Sequence, residues 1–217
     1  MTLGYGTAAL GRSISRRERV RLVEAAYDAG IRWFDTAPLY GSGAAEQAVG
    51  IALRGKDDVT IATKVGIVPP GLVGVALRRP AEGGRFSDVR RQVDGSLRRL
   101  RRDTVDVVLL HEVDAASAAT ALDALAGDER VRLTGIATGA EQSAAILAAR
   151  VPAVVQLAAG SNVDPRGARL VLHSVLAGKT GVAAELLRAA SSAHPGAVVL
   201  VGSRNAEHVR EAAAALR

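Results

Sequence analysis

The 217-residue chain contains no cysteine, so disulfide bonds and thiolate chemistry are both excluded. Aromatic residues are scarce, with one Trp, three Tyr and two Phe, which argues against base-stacking surfaces for nucleic acid. No apolar run is long enough to cross a membrane: the longest, Val65 to Leu77, is interrupted by Pro69-Pro70. The opening Met1-Thr2-Leu3-Gly4-Tyr5-Gly6 lacks the charged and apolar regions of a signal peptide, and a cytoplasmic location is expected. Lysine is also rare. Of the 28 basic residues behind the net charge of +6, only Lys56, Lys64 and Lys179 are lysines. The densest basic run, Arg98-Arg99 and Arg101-Arg102, has Leu97 and Leu100 at helical spacing and reads as a solvated helix face.

What the chain does have is a regular alternation of short apolar runs with amphipathic stretches. Strands are expected at Leu3 to Ala9, near Ile31 to Asp35, at Val59 to Gly66, Thr104 to His111, Leu133 to Thr138, Ala153 to Leu157, Leu170 to His173 and Ala197 to Val201. Helices fall between them, with Ser15 and Ser87 as expected caps and Gly43 opening the second. Eight strands alternating with helices predict one α/β domain over residues 1–217, a compact parallel (β/α)8 TIM barrel. Only twelve residues separate Leu157 from Leu170, near the minimum for a parallel crossover, so the sixth helix is expected to be reduced or missing. The outer faces of the sixth and seventh strands would then be uncovered, and a homodimer through that side is expected. The long Gly- and Pro-containing connection from Gly66 to Phe86 is read as a functional loop.

In such a barrel, chemistry gathers at the carboxyl ends of the strands. Asp35 ends the second strand, Tyr40 follows it, Lys64 ends the third and His111 ends the fourth. A phenol is a weak acid at neutral pH, and a nearby ammonium favours its ionised form. Lys64 would play that part, with Asp35 holding it charged, His111 bonding a substrate oxygen and Tyr40 moving the proton. Trp33 shares inward parity with Asp35 and reads as core filling. Glu46, in the turn after Tyr40, is expected to bond that turn's backbone, and His173 is a lesser candidate for substrate contact. His111-Glu112 is followed by no second histidine at helical spacing, and no metal site is expected.

The segments Gly30 to Gly41 with Gly43 and Glu46, Ala62 to Gly66, Val105 to His111 and Val201 to His208 together resemble the aldo-keto reductase family, in wording nearest its aldose dehydrogenase branch. That resemblance implies Asp35, Tyr40, Lys64 and His111 as a catalytic tetrad and NADP or NAD as cofactor. It also implies Gln156 on the nicotinamide carboxamide, Ser174, Leu176 and Gly178 near the pyrophosphate, and Ser203 and Arg204 on the adenosine phosphate. The implied reaction is NAD(P)H-dependent interconversion of a carbonyl and an alcohol on a small-molecule substrate. Two departures stand out: Ala137-Thr138 where many members carry Ser-Asn, and Ala159 where a Tyr commonly stacks. They motivate two other readings, a lyase, dehydratase or isomerase reusing Tyr40 and Lys64, or a non-catalytic binding subunit.

Overall fold

The computed structural model describes residues 2–67, 88–176 and 182–216. Eight parallel strands close into a barrel in chain order: β1 (Thr2–Gly6), β2 (Trp33–Asp35), β3 (Thr60–Val65), β4 (Val105–His111), β5 (Val131–Ala137), β6 (Val154–Ala158), β7 (Arg169–His173) and β8 (Val198–Val201), with β8 pairing back onto β1. Seven α-helices are found among the described residues: α1 (Arg16–Asp28), α2 (Ala44–Ala52), α3 (Val89–Leu100), α4 (Ala115–Ala126), α5 (Ala140–Ala149), α6 (Ala183–Ala193) and α7 (Ala206–Ala215). The expected barrel is therefore the observed one.

Local chemistry sets the element ends. Ser15 accepts the Glu18 N–H and starts α1, as expected, and Gly30 leaves that helix with φ of 91°. β1 is shorter than its apolar run, because Thr7–Gly11 wind into a 3-10 turn whose Thr7 hydroxyl donates to the Asp35 carbonyl. α3 is capped by Asp88 rather than Ser87, which lies outside the described residues; Asp88 accepts from the Arg91 N–H. α4 stops at Gly127 because Asp128 takes both the Arg130 N–H and its guanidinium, so β5 begins at Val131, earlier than its hydrophobic pattern suggests.

Between β6 and β7 there is no helix, in agreement with the short connection. The exposed patch expected there is not found. Val155, Leu157, Leu170 and Leu172 are all buried, and the connecting segment lays Ala159, Val163 and Ala168 against the same core. The observation that motivated a homodimer through this face is thereby lost. Similarly, the basic run is only half solvated. Arg99 donates to the fully buried Glu46 at 2.6 Å, and Arg102 donates to the carbonyls of Leu53 and Lys56. Glu46 accepts from Thr63 Oγ1 as well, so it ties α2 to β3 and α3 instead of bonding the turn after Tyr40. Buried carboxylates persist only with such donors.

The barrel interior is packed with Trp33, Val107, Leu109, Val154, Val171, Val198 and their neighbours. Trp33 is buried there, as its parity predicts, and it fits because Gly4 stands in register with it. A Cβ at Gly4 would come within 2.9 Å of Trp33 Cδ1 and 2.6 Å of Leu200 Cδ2. Gly4→Ala is expected to destabilise the fold by about 1–3 kcal/mol through overpacking, read as a lower urea midpoint at unchanged m-value.

Candidate active site

A cavity of about 720 Å³ opens at the carboxyl ends of the strands. Asp35, Tyr40, Lys64 and His111 all line it, so β2, β3 and β4 deliver their polar ends to one place. Asp35 and Lys64 are 3% and 2% exposed, and they meet directly: Lys64 Nζ lies 2.7 Å from Oδ1 and 2.8 Å from Oδ2. The ammonium also donates to the Thr36 carbonyl at 3.0 Å. Its nitrogen sits 5.1 Å from the centroid of the Tyr40 ring.

The turn after β2 places that ring. The Tyr40 N–H donates to the Ala37 carbonyl, the Gly43 N–H to the Pro38 carbonyl, and the Ala45 N–H to the Tyr40 carbonyl. Gly41, Ser42 and Gly43 all have positive φ, a run that two glycines make tolerable. Gly11 packs flat on this turn; a Cβ there would meet Gly41 N at 2.8 Å. The main chain that carries the phenol is thus fixed on both sides.

Electrostatically, burial pushes the Lys64 pKa down, but the charge of Asp35 and its hydrogen bonds, with help from Tyr40, reverse this and leave it raised. Lys64 is an ammonium throughout the neutral range. For Tyr40 the outcome differs from the sequence expectation of a lowered pKa. Burial raises it, the Lys64 charge opposes that, Asp35 adds to it, and the net shift is upward. In this pocket Lys64 limits the rise instead of bringing the phenol below its ordinary value.

The cofactor positions named from the resemblance fall into three groups. Gln156, Ser174 and Leu176 line the cavity. Ser203 and Arg204 lie beyond its wall, at the start of α7, where Asn205 caps the helix and the Tyr5 hydroxyl donates to the Ser203 carbonyl. Gly178 lies outside the described residues, as does nearly all of the Gly66 to Phe86 connection. Gln156 has a contact that its resemblance-based role does not include: its Nε2 donates to Asp35 Oδ2 at 3.0 Å.

His173 also lines the cavity, its Nδ1 2.9 Å from Ser174 Oγ, and burial lowers its pKa, so it is neutral at pH 7. Sequence reasoning missed Arg12, Glu112, Thr138 as a lining group and Ser161. Ser161 Oγ is buried with no hydrogen-bond partner. Nothing in the Gly160-Ser161-Asn162 turn marks it, whereas Glu112 could have been found from its position directly after His111.

The site and fold define a class: a closed parallel barrel with a carboxylate, an ammonium, a phenol and an imidazole at its carboxyl mouth. Residues 2–164 match the model of the Aldo/keto reductase family, and the chain belongs to that family. It is 35% identical over 157 residues to D-threo-aldose 1-dehydrogenase of a Pseudomonas species, an alignment covering 62% of this chain and 47% of that enzyme. It is also 35% identical over 122 residues to a probable voltage-gated potassium channel subunit beta of Oryza sativa, covering 53% of this chain and 34% of that protein. The chain thus spans less than half the length of these relatives. Among solved structures, a putative aldo-keto reductase from Pseudomonas aeruginosa superposes with a TM-score of 0.73 at 26% identity, over 99% of this chain and 90% of that one. An aldo/keto reductase from Klebsiella pneumoniae, in complex with NADP and acetate, has the same fold, with a TM-score of 0.74 at 24% identity over 99% and 85% of the two chains.

If Asp35 and Lys64 depend on each other as the geometry indicates, Lys64→Met should cost about 3–5 kcal/mol by stranding a buried carboxylate. The double variant Asp35→Asn/Lys64→Met should recover most of that loss. Urea denaturation of the four proteins in the cycle measures both.

Proposed function

We propose that the chain is an NAD(P)(H)-dependent oxidoreductase that interconverts a carbonyl compound and its alcohol, with Tyr40 as the general acid and base. The observation that carries this reading is the buried Asp35–Lys64 pair set beside Tyr40 at the floor of an open cavity. The relatives named as dehydrogenases of an aldose and, at 34% identity over 134 residues, of pyridoxal in Microbacterium luteolum support it.

The residues present fit a nicotinamide dinucleotide. The unpartnered Ser161 hydroxyl stands in the cavity wall with the polar side chains of Thr138, Gln156 and Ser174, and Ala137, Gly139 and Ala158 leave room between them. At the start of α7, Ser203 and Arg204 would meet a phosphate, where a helix amino terminus favours an anion. With the nicotinamide end in the cavity, such a cofactor would supply or accept a hydride. Arg204 is compatible with NADP as well as NAD, and the Klebsiella pneumoniae neighbour was solved with NADP.

The chain's own residues handle the proton. In reduction, the Tyr40 hydroxyl donates to the carbonyl oxygen as the oxygen gains charge, and the neighbouring Lys64 ammonium stabilises the phenolate that remains. Asp35 keeps Lys64 charged. His111 would bond the same substrate oxygen and orient it. In oxidation the steps reverse, and Tyr40 must first lose its proton. Asp35, Tyr40, Lys64 and His111 all come from one chain, so this reading does not require a homodimer; the location proposed with it is the cytoplasm.

Because the Tyr40 pKa is raised, the phenol is protonated at neutral pH. Reduction should therefore be flat through neutral pH, while alcohol oxidation should climb about tenfold per pH unit until Tyr40 ionises. Tyr40→Phe should lower both directions by about 10²–10⁴-fold with NADPH binding retained. Steady-state rates across pH, with nucleotide binding followed by fluorescence, check this. A Tyr40→Phe protein with full activity would remove the assignment. A second reading, a binding subunit without turnover, draws on the channel-subunit relative; a wild-type chain that binds NADPH and reduces no aldehyde would move the protein to it.

A further inference from the structure

We propose that Gln156 is a positioning residue of the proton-transfer set: by donating to Asp35 Oδ2 it releases one Lys64 N–H to the Tyr40 oxygen. The inference rests on Tyr40 serving as the proton donor and acceptor, and it adds to the nicotinamide contact implied for Gln156.

The hydrogens available on Lys64 are fewer than the acceptors around it. An ammonium has three hydrogens. Around Lys64 Nζ stand Asp35 Oδ1 at 2.7 Å, Asp35 Oδ2 at 2.8 Å and the Thr36 carbonyl at 3.0 Å. The Tyr40 ring, its centroid 5.1 Å from Nζ, offers its oxygen as a fourth acceptor for any hydrogen that Lys64 frees. Four acceptors share three hydrogens. An oxygen of a carboxylate that is 3% exposed cannot be left without a donor at small cost. Gln156 Nε2, 3.0 Å from Oδ2, supplies the missing one, and Lys64 can turn toward Tyr40 without orphaning Asp35.

The contact is built into the barrel. β2 and β6 lie four strands apart in a closed ring of eight, so this hydrogen bond runs from wall to wall. It can cross because the residues in register with Asp35 are Gly6 and Ala62, and the one beside Gln156 on β5 is Ala137. Gln156 is 4% exposed. Other charged or titratable groups around the same cavity are His111 on β4, Glu112 after it, His173 on β7 and Arg12 after the 3-10 turn.

The test is the titration of Tyr40 in protein carrying ¹³C at tyrosine Cζ, with no nucleotide added, the resonance being assigned by its absence in Tyr40→Phe. In Gln156→Met, which keeps the length and loses the donor, the Tyr40 midpoint should move upward by roughly half a pH unit or more. Gln156→Glu, with a second negative charge beside Asp35, should move it in the same direction. A side chain that merely packs would lower the melting temperature and leave the midpoint in place. Coincident Tyr40 titrations in wild type and in a folded Gln156→Met or Gln156→Glu protein would overturn the proposal. Since the readout involves neither hydride transfer nor substrate, a wild-type chain without carbonyl reductase activity would sink the oxidoreductase reading and leave this result to stand or fall alone.

Discussion

A lysine with almost no solvent exposure exists as an ammonium here because a carboxylate faces it at hydrogen-bond distance. Desolvation by itself would drive Lys64 toward the neutral amine, and a buried carboxylate without a counter-ion is equally costly. Together they keep a fixed positive charge at the floor of the cavity, next to a phenol whose main chain the turn after β2 fixes. Each remaining feature of the site depends on that charge. Without it Tyr40 would be a buried, strongly weakened acid; with it a phenolate formed in the proposed reaction would have a counter-ion already in position.

The scaffold supports this charge by leaving space for it. Small inward residues, Gly4, Gly6, Ala62, Gly135 and Ala137, alternate with Trp33, Leu109 and Leu200 around the interior, so the lower barrel is filled by large side chains. The upper level, by contrast, admits a salt bridge and a hydrogen bond that crosses the barrel. On the outside, Glu46 joins Thr63, the residue before Lys64, to Arg99 on α3. A second buried carboxylate thus braces the strand that carries the ammonium, from the opposite face of the sheet.

Most of this architecture can be read from the chain. The strand ends at Asp35, Lys64 and His111 are marked by apolar runs that close on a single polar residue, and Pro38 shows where the chain turns. The absence of a helix between β6 and β7 follows from counting residues. The consequence drawn from it does not, because the sequence cannot show that Ala159, Val163 and Ala168 fold back as cover. Glu46 was misassigned for a similar reason: its partners are 17 and 53 residues away, beyond any local pattern. The direction of the Tyr40 shift was likewise out of reach, since it is set by how deeply the ring is buried against how close Lys64 comes. Family resemblance places Gln156 on a cofactor and says nothing of Asp35, which lies 121 positions away in sequence and 3.0 Å away in space.

The proposed mechanism stands on the Lys64 charge making the Tyr40 proton transferable. It is tested most directly by single-turnover hydride transfer in Lys64→Met, following NADPH absorbance after mixing a preformed nucleotide complex with an aldehyde. Lys64→Met is expected still to bind NADPH, with hydride transfer slowed by at least about a thousandfold. Transfer at a rate close to wild type from a fully formed complex would contradict it.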